Sequence, residues 1–406
     1  MSGVFTSVRK ILGSARLYSG VSTNALSSIG NFAVSIAVAR SAPIEEVGEF
    51  AIAFATYAFL TGLIRAGVCE PILGLEPRVE VLRNSVSRVS LLSLIFGLLT
   101  VVIGIAWSMP YLTIVGVTIH ALSIFDYSKT MNLAAFNRTI PLIQEAFWTL
   151  ISVIAGFLVI FDRISSFQGF VIWSLSGSLI GLVSAFLQKY RISPKWQLTS
   201  KDTKLSVAFG GDYLLGSGTS QISTNIVGVF AGLTTVGSLR AGGTLLGPVS
   251  IIVSSASSLA IPYLARGIAK GGSESTTRSL ASTLIMMLAT SPILLFIAFI
   301  PSNLGELILG ASWIFAEPIL PLLALEMGFI SLMTVPFAGF RALQAGRATV
   351  IIRSLLAVLK IGLILLAVSV GGVMAVASAM AVTSGINALV WWICYFFILR
   401  KVQITK

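Results

Sequence analysis

Apolar stretches of membrane-spanning length follow one another along almost the whole chain. They lie at approximately 17–41, 48–71, 89–107, 109–128, 141–161, 166–188, 206–231, 236–264, 280–300, 315–338, 349–370 and 373–398. A helix needs about 20 such residues to cross the hydrocarbon layer. Twelve of them, joined by short connections, leave no room for a soluble domain of useful size. Only 10% of the residues are charged while 56% are hydrophobic, against roughly 25% charged in an ordinary soluble protein. The runs are continuous rather than alternating, which excludes an outer-membrane barrel. The fold class is therefore an all-α polytopic membrane protein.

Basic residues sit next to the ends of the runs, so the net charge of +12 marks topology and contact with anionic membrane lipids, not binding of nucleic acid. When alternate connections are assigned to alternate sides, 22 of the 27 Lys and Arg fall on one side, Lys129 and Arg138 among them. Only Arg40, Arg163 and Arg240 fall on the other side, and Arg65 and Lys360 fall within spans. Positive residues stay on the cytoplasmic side. This asymmetry needs an even number of spans and puts both termini in the cytoplasm, with the first span a retained helix and not a cleaved signal. Two isolated cysteines, Cys69 and Cys394, and the single His120 form neither a disulfide framework nor a metal site.

The longest basic connection divides six spans from six. The expected organisation is an N-terminal six-helix lobe at 1–188, a cytoplasmic basic linker at 189–205 and a C-terminal six-helix lobe at 206–406. The halves share short features. Val47-Gly48-Glu49-Phe50 opens the second span after a polar first one, and Val236-Gly237-Ser238-Leu239 opens the eighth after a polar seventh. Six spans per half make this a parallel repeat.

Spans 7 and 8, joined by a turn over 232–237, carry polar groups that lipid would leave without partners. Asp212, Ser217, Gln221, Thr224 and Asn225 lie on the seventh; Arg240 and the row Ser250, Ser254, Ser257 and Ser258 lie on the eighth. In the first span Asn24, Ser27, Ser28, Asn31 and Ser35 recur at helical spacing and so share one face. The serines and glycines serve close helix packing, whereas Asn24, Asn31, Gln221 and Asn225 are candidates to line a wet cavity. The span over 89–107, featureless from Leu91 to Ile105, is the lipid-facing contrast.

A charge at mid-bilayer costs about 2.5–3.5 kcal/mol even on the lenient insertion scale, so charged residues in spans point to function or to pairing. Arg65 and Arg240 occupy matching spans of the two halves, and guanidinium forks suit phosphate oxygens. The structural alternative has Arg65 snorkelling or paired with Glu70 and Arg240 at the interface. Asp212 is a partner for Arg65 or a candidate site for a coupling proton or sodium ion. Glu326 and Lys360 are expected to form a structural ion pair. Asp126 and Glu145, near cytoplasmic helix ends, are expected to be solvated. The longest outer loop, about 301–316, offers only Glu306 to acid–base chemistry, which argues against an enzyme.

Taken together, several segments resemble one family. They are Val47-Gly48-Glu49-Phe50, the run from Arg65 to Pro71, Val236-Gly237 followed by Ala241 and Pro248, the run from Ile261 to Arg266, and the run from Phe340 to Arg347. The chain is similar to the polysaccharide (Wzx-type, O-antigen and capsule) flippases of the multidrug/oligosaccharidyl-lipid/polysaccharide (MOP) superfamily. The resemblance implies two six-helix lobes around a central cavity in the bacterial cytoplasmic (inner) membrane. It implies transport by alternating access, with undecaprenyl-pyrophosphate-linked oligosaccharide as the substrate and no cofactor. Arg65 and Arg240 would hold phosphate, and Asn24, Asn31, Gln221 and Asn225 would bond sugar hydroxyls. Its partners would be the lipid-linked sugar, membrane lipids and the polysaccharide polymerase machinery. The alternative within the same fold is an ion-coupled multidrug or cation antiporter, which would use Asp212, Asp126 and Glu326.

Overall fold

The structure, a computed structural model, describes residues 15–73, 79–135, 137, 139–195, 200–270 and 272–404. Arg9, Lys10, Arg78, Arg138 and Lys406 of the basic set lie outside the described residues, as does the side chain of Ser258. All the regular elements among the described residues are helices. They are α1 (Ala15–Ser41), α2 (Ile44–Ile64), α3 (Glu70–Leu73), α4 (Val79–Ala106), α5 (Pro110–Ala134) and α6 (Thr139–Ile160). Next come α7 (Ser166–Leu187), α8 (Ser200–Tyr213), α9 (Thr219–Ala231), α10 (Leu233–Leu245), α11 (Gly247–Lys270) and α12 (Gly272–Ala298). The last are α13 (Ser302–Leu309), α14 (Trp313–Ala316), α15 (Leu320–Ala342), α16 (Gly346–Val370) and α17 (Val373–Ile404).

The short pieces are parts of longer rods. A π-helical turn, Arg65–Cys69, joins α2 to α3, and a second, Leu214–Gly218, joins α8 to α9. The α10 helix runs into α11 across Leu246; α11 begins at Gly247, with Pro248 in its first turn. Counted as rods, the helices among the described residues number twelve, one at each apolar stretch. Nine helices among the described residues are long and apolar enough to cross a membrane, so the chain is a multi-pass membrane protein. The rods α1, α5 and α8–α9 fall outside that set. These three carry Asn24, Asn31, Asp126, Lys129, Asp212, Gln221 and Asn225.

Two expected loops prove shorter or more ordered. The turn expected at 232–237 is Gly232 alone; its φ of +86° reverses the chain, and α10 begins at Leu233. That backbone region is open to glycine without steric cost. The outer loop expected at 301–316 is folded as α13, a 3₁₀ turn at Gly310–Ser312, and α14. The buried Trp313 lies directly against Gly305 there.

Contacts within the chain define two compact units, one of Met1–Ala42 with Glu49–Asn225 and one of Pro43–Gly48 with Ile226–Lys406. Residues 200–225 thus group with the N-terminal helices. In the first unit α5 packs against α4 and α7, α6 against α1 and α7, and α8 against the π turn at Arg65–Cys69. The α4 helix shows why. Ser90, Ser93, Gly97, Thr100 and Gly104 lie on one face, where Gly97 meets the Gly116 carbonyl and Gly104 meets Thr113. Its other face leaves Leu94, Leu98, Leu99, Val102 and Ile105 exposed, the lipid-facing side expected of this span. Small residues let the two backbones approach closely. An aromatic core of Phe50, Phe54, Tyr57, Tyr111, Phe170 and Trp173 closes one end, and Trp148 donates its indole N–H to the Trp173 carbonyl at 2.8 Å.

In the second unit α15 is central, flanked by α11, α12 and α17. Tyr395 fills the space over Gly339, its hydroxyl 2.9 Å from Ser279 Oγ, and Trp391 sits edge-on to Phe337 and Phe340. The first turn of α2 also belongs to this unit. A Cβ on Gly48 would overlap the Leu233 carbonyl, and a Cβ on Gly237 would overlap the Ile44 carbonyl. The two glycines of the repeated motif therefore meet each other's helix in the same way, each against the residue four before its counterpart. Thr234 donates a hydrogen bond to Glu45 Oε1 at 3.1 Å beside them.

Candidate functional site

The first unit concentrates its charge in one place. Arg65 stands at the start of the π turn, with Nε 3.1 Å from Asp126 Oδ2 on α5. One turn further along α5, Lys129 Nζ is 3.8 Å from Asp126 Oδ1 and 2.8 Å from Glu145 Oε1 on α6. Charges of opposite sign thus alternate in the order Arg65, Asp126, Lys129, Glu145. Exposure falls along the series. The Arg65 side chain is 43% exposed, those of Asp126 and Lys129 are 12% exposed, and that of Glu145 is 0%. An isolated buried charge costs several kcal/mol, and pairing offsets the cost only when geometry is good. Three helices from different parts of the sequence meet here to satisfy that condition.

This arrangement corrects three expectations. Arg65 is ion-paired with Asp126, a residue not expected to be its partner. Asp126 and Glu145 are buried, not solvated at helix ends, because α5 and α6 extend past the expected boundaries and pack against α7 and α1. Lys129, counted as a loop cation, lies within α5 and serves Glu145, so it carries no topology signal. Sequence did hold a signal. Asp126 and Lys129 are three apart on one helix, and Glu145 faces them across a tight hairpin.

Beside the charges lies an uncharged polar knot at the ends of α5, α6 and α7. Gln188 donates to Ser128 Oγ and to Ser184 Oγ, both at 2.8 Å, and accepts from Asn132 at 2.7 Å and from the Tyr190 hydroxyl at 2.9 Å. Gln144 donates to Ser128 Oγ at 3.2 Å. Buried polar networks of this kind fix helix register, although the buried Gln144 Oε1 is left without a hydrogen-bond partner among the described residues.

The remaining expected residues divide between the units. Asn24, Asn31, Asp212, Gln221 and Asn225 belong with Arg65 in the first, and Arg240, Glu326 and Lys360 belong in the second. Asn24 is exposed on α1, while Asn31 on α1 and Gln221 on α9 are half-buried. Asn225 reaches Thr56 Oγ1 on α2 at 3.5 Å. Asp212 is half-buried on α8, beside Tyr213. Tyr213 donates its hydroxyl to the Ala58 carbonyl at 3.0 Å and lies over Gly62, which has no side chain to obstruct it. This docking and the π turns tie α8 to α2. The first π turn starts at Arg65 and the second follows Tyr213, and such turns are frequent at functional positions.

In the second unit Arg240 is half-buried on α10. Glu326 is buried on α15, where Ser384 donates to its Oε1 at 3.4 Å. The expected Glu326–Lys360 ion pair is not among the pairs formed within 4.0 Å by the described residues; Lys360 acts on Glu326 as a more distant charge. Both residues lie in spans as expected, but the hairpin does not bring their heads together. Among the described residues no cluster of three or more His, Cys, Asp or Glu could hold a metal ion.

No family model and no curated protein matches the sequence. Solved structures do match over nearly the full length. One is an inward-facing multidrug resistance MATE family transporter of the MOP superfamily, with a TM-score of 0.66 at 13% identity, covering 94% of this chain and 96% of that one. Another is a MOP superfamily transporter from Pyrococcus furiosus described as having a binding pocket of reversed polarity, with a TM-score of 0.62 at 12% identity and 95% of each chain covered. An outward-facing multidrug resistance MATE transporter has a TM-score of 0.60 at 13% identity, again over 95% of each chain. The chain has the fold of the MATE and MOP superfamily transporters.

Proposed function

We propose that this protein is a membrane transporter that flips a lipid-linked oligosaccharide, of the undecaprenyl-pyrophosphate class, from the cytoplasmic to the outer leaflet by alternating access. The observation that carries the reading is how the first unit disposes of its charges. Asp126 and Glu145 are each ion-paired with a cation on the same unit, while the half-exposed cation Arg65 lies on the unit that also presents Asn24, Asn31, Gln221 and Asn225. Neutral hydrogen-bonding side chains suit sugar hydroxyls, and a guanidinium suits a phosphate. A site for drug cations would instead leave carboxylates open to them. The Pyrococcus furiosus neighbour, whose pocket polarity is said to suggest a different function, is a precedent for such a departure within this fold.

The test is depletion of the protein in its native membrane. Lipid-linked sugar should accumulate on the cytoplasmic leaflet, read by mass spectrometry of the lipid pool with a leaflet-specific probe. An unchanged pool would remove the reading. Arg65→Ala and Arg240→Ala should each impair export at normal protein level.

A second reading, an ion-coupled multidrug or cation antiporter, draws on the second unit. There Glu326 is buried without a cation within 4.0 Å among the described residues. Asp212→Asn and Glu326→Gln separate the two. An antiporter loses ion-driven efflux in one or both variants, whereas the flippase retains export.

A further inference from the structure

Within the proposed reading as a carrier of a phosphate-bearing lipid, we infer that Asp126 is an internal counter-anion. It occupies the seat on Arg65 that the phosphate takes during transport, and it is displaced when that phosphate binds. The cluster contains two cations and two carboxylates, held very differently. Glu145 is fully buried and sits 2.8 Å from Lys129, so that pair is shielded from an incoming anion. Asp126 spans the gap between the two cations, one oxygen 3.1 Å from Arg65 Nε and the other 3.8 Å from Lys129 Nζ. Its oxygen on Arg65 stands where a phosphoryl oxygen would stand. The longer of its two contacts points inward to Lys129, the shorter to the half-exposed Arg65.

Exchange follows from this geometry. A phosphoryl oxygen arriving at the exposed side of Arg65 competes with Asp126 Oδ2 for the guanidinium. On release, Asp126 closes the longer contact to Lys129, so its charge stays compensated and no ion enters or leaves. The guanidinium starts at the first residue of a π turn, where local re-registration of the helix can re-aim it. Among the ion pairs formed within 4.0 Å by the described residues, Asp126 is the carboxylate on Arg65. Asp126 is therefore the competitor that any anion at Arg65 must displace.

The test measures binding of farnesyl pyrophosphate and, separately, inorganic pyrophosphate to the detergent-solubilised full chain by titration calorimetry. Wild type, Asp126→Asn, Asp126→Ser and Arg65→Ala are compared, each as the monodisperse fraction from size exclusion. Both Asp126 variants should bind the prenyl probe more tightly than wild type, by about tenfold, equivalent to about 1.4 kcal/mol, and Arg65→Ala should bind it more weakly. The same gain with inorganic pyrophosphate assigns the seat to the phosphate alone, and a gain confined to the prenyl probe assigns it to a lipid head group; either supports exchange. Two independent Asp126 substitutions keep the result readable if one of them fails to fold. Unchanged or weaker binding in both, with wild type still binding, overturns the exchange and leaves the flippase reading intact. No binding of either probe by any form, Asp126 variants included, overturns both.

Discussion

Lys129 shows at the scale of one residue how position in the fold overrides position in the sequence. Next to a span end it reads as a topology cation, yet its ammonium is 2.8 Å from a carboxylate with no exposure at all. Removing one partner of such a pair strands a buried charge, which costs about 3–5 kcal/mol, whereas replacing both with apolar residues of similar size is close to neutral. Lys129→Met alone should therefore lower the thermal unfolding midpoint in detergent sharply. Lys129→Met with Glu145→Leu should recover most of it; a double variant as unstable as the single would mean the pair is not what Lys129 supports. Tyr213→Phe tests a smaller term, the hydrogen bond to the Ala58 carbonyl at 3.0 Å. Its loss should cost about 0.5–1.5 kcal/mol and loosen α8 from α2, read as faster amide exchange over 200–213. Residues such as Arg65 and Asp212 could be singled out from sequence because a charge inside an apolar run stands out. The partner of Arg65 could not, since helical spacing says which face a side chain shares and nothing about which other helix meets that face.

At the scale of elements the sequence was informative wherever a local rule sufficed. The break before Pro248 and the exposed apolar face of α4 follow from the chemistry of single residues and from period. The π turns at Arg65–Cys69 and Leu214–Gly218 do not. An inserted residue in a helix has no residue-type signature comparable to proline, and it is stabilised by the neighbour it packs on, here α8 against the first turn. The repeated glycines lie between these cases. Their place in matching motifs hinted at kinship of the halves, and the structure gives the reason for glycine at both. A Cβ at Gly48 or at Gly237 runs into a backbone carbonyl, which cannot rotate away as a side-chain tip can. Overpacking costs about 1–3 kcal/mol. Gly48→Ala and Gly237→Ala should each lower the unfolding midpoint, and by similar amounts because the two contacts are reciprocal. Gly243→Ala, with nothing within 4 Å of the added carbon, is the control that should change little. A harmless Gly48→Ala would show that the crossing has slack the geometry does not display.

For the whole molecule, the twelve-rod architecture was legible because bilayer thickness fixes the length of a spanning helix, and length survives errors of a few residues at each boundary. The orientation across the membrane rests on charge alone. With Lys129 reassigned to the interior, 21 of the 27 Lys and Arg still fall on one side of the alternation, and the loop cation Arg163 falls on the other. Short loops rich in Lys and Arg are retained in the cytoplasm. The non-helical segment Lys189 to Lys195 should then be cytoplasmic, like both termini, and the turns at 161–165 and 371–372 should face outward. Fusing green fluorescent protein or alkaline phosphatase after residues 163, 195, 371 and 404 tests this directly. Fluorescence without phosphatase activity is expected at 195 and 404, and the reverse at 163 and 371. The pattern is stringent because the rods between the sites must have the right parity. Six rods separate 195 from 404, five separate 195 from 371, and one separates 163 from 195. A single rod that failed to cross would flip every site beyond it. Phosphatase activity at 404 with fluorescence at 195 would mean an odd number of crossings in the C-terminal half, and the two halves could then no longer be parallel copies of one six-helix design.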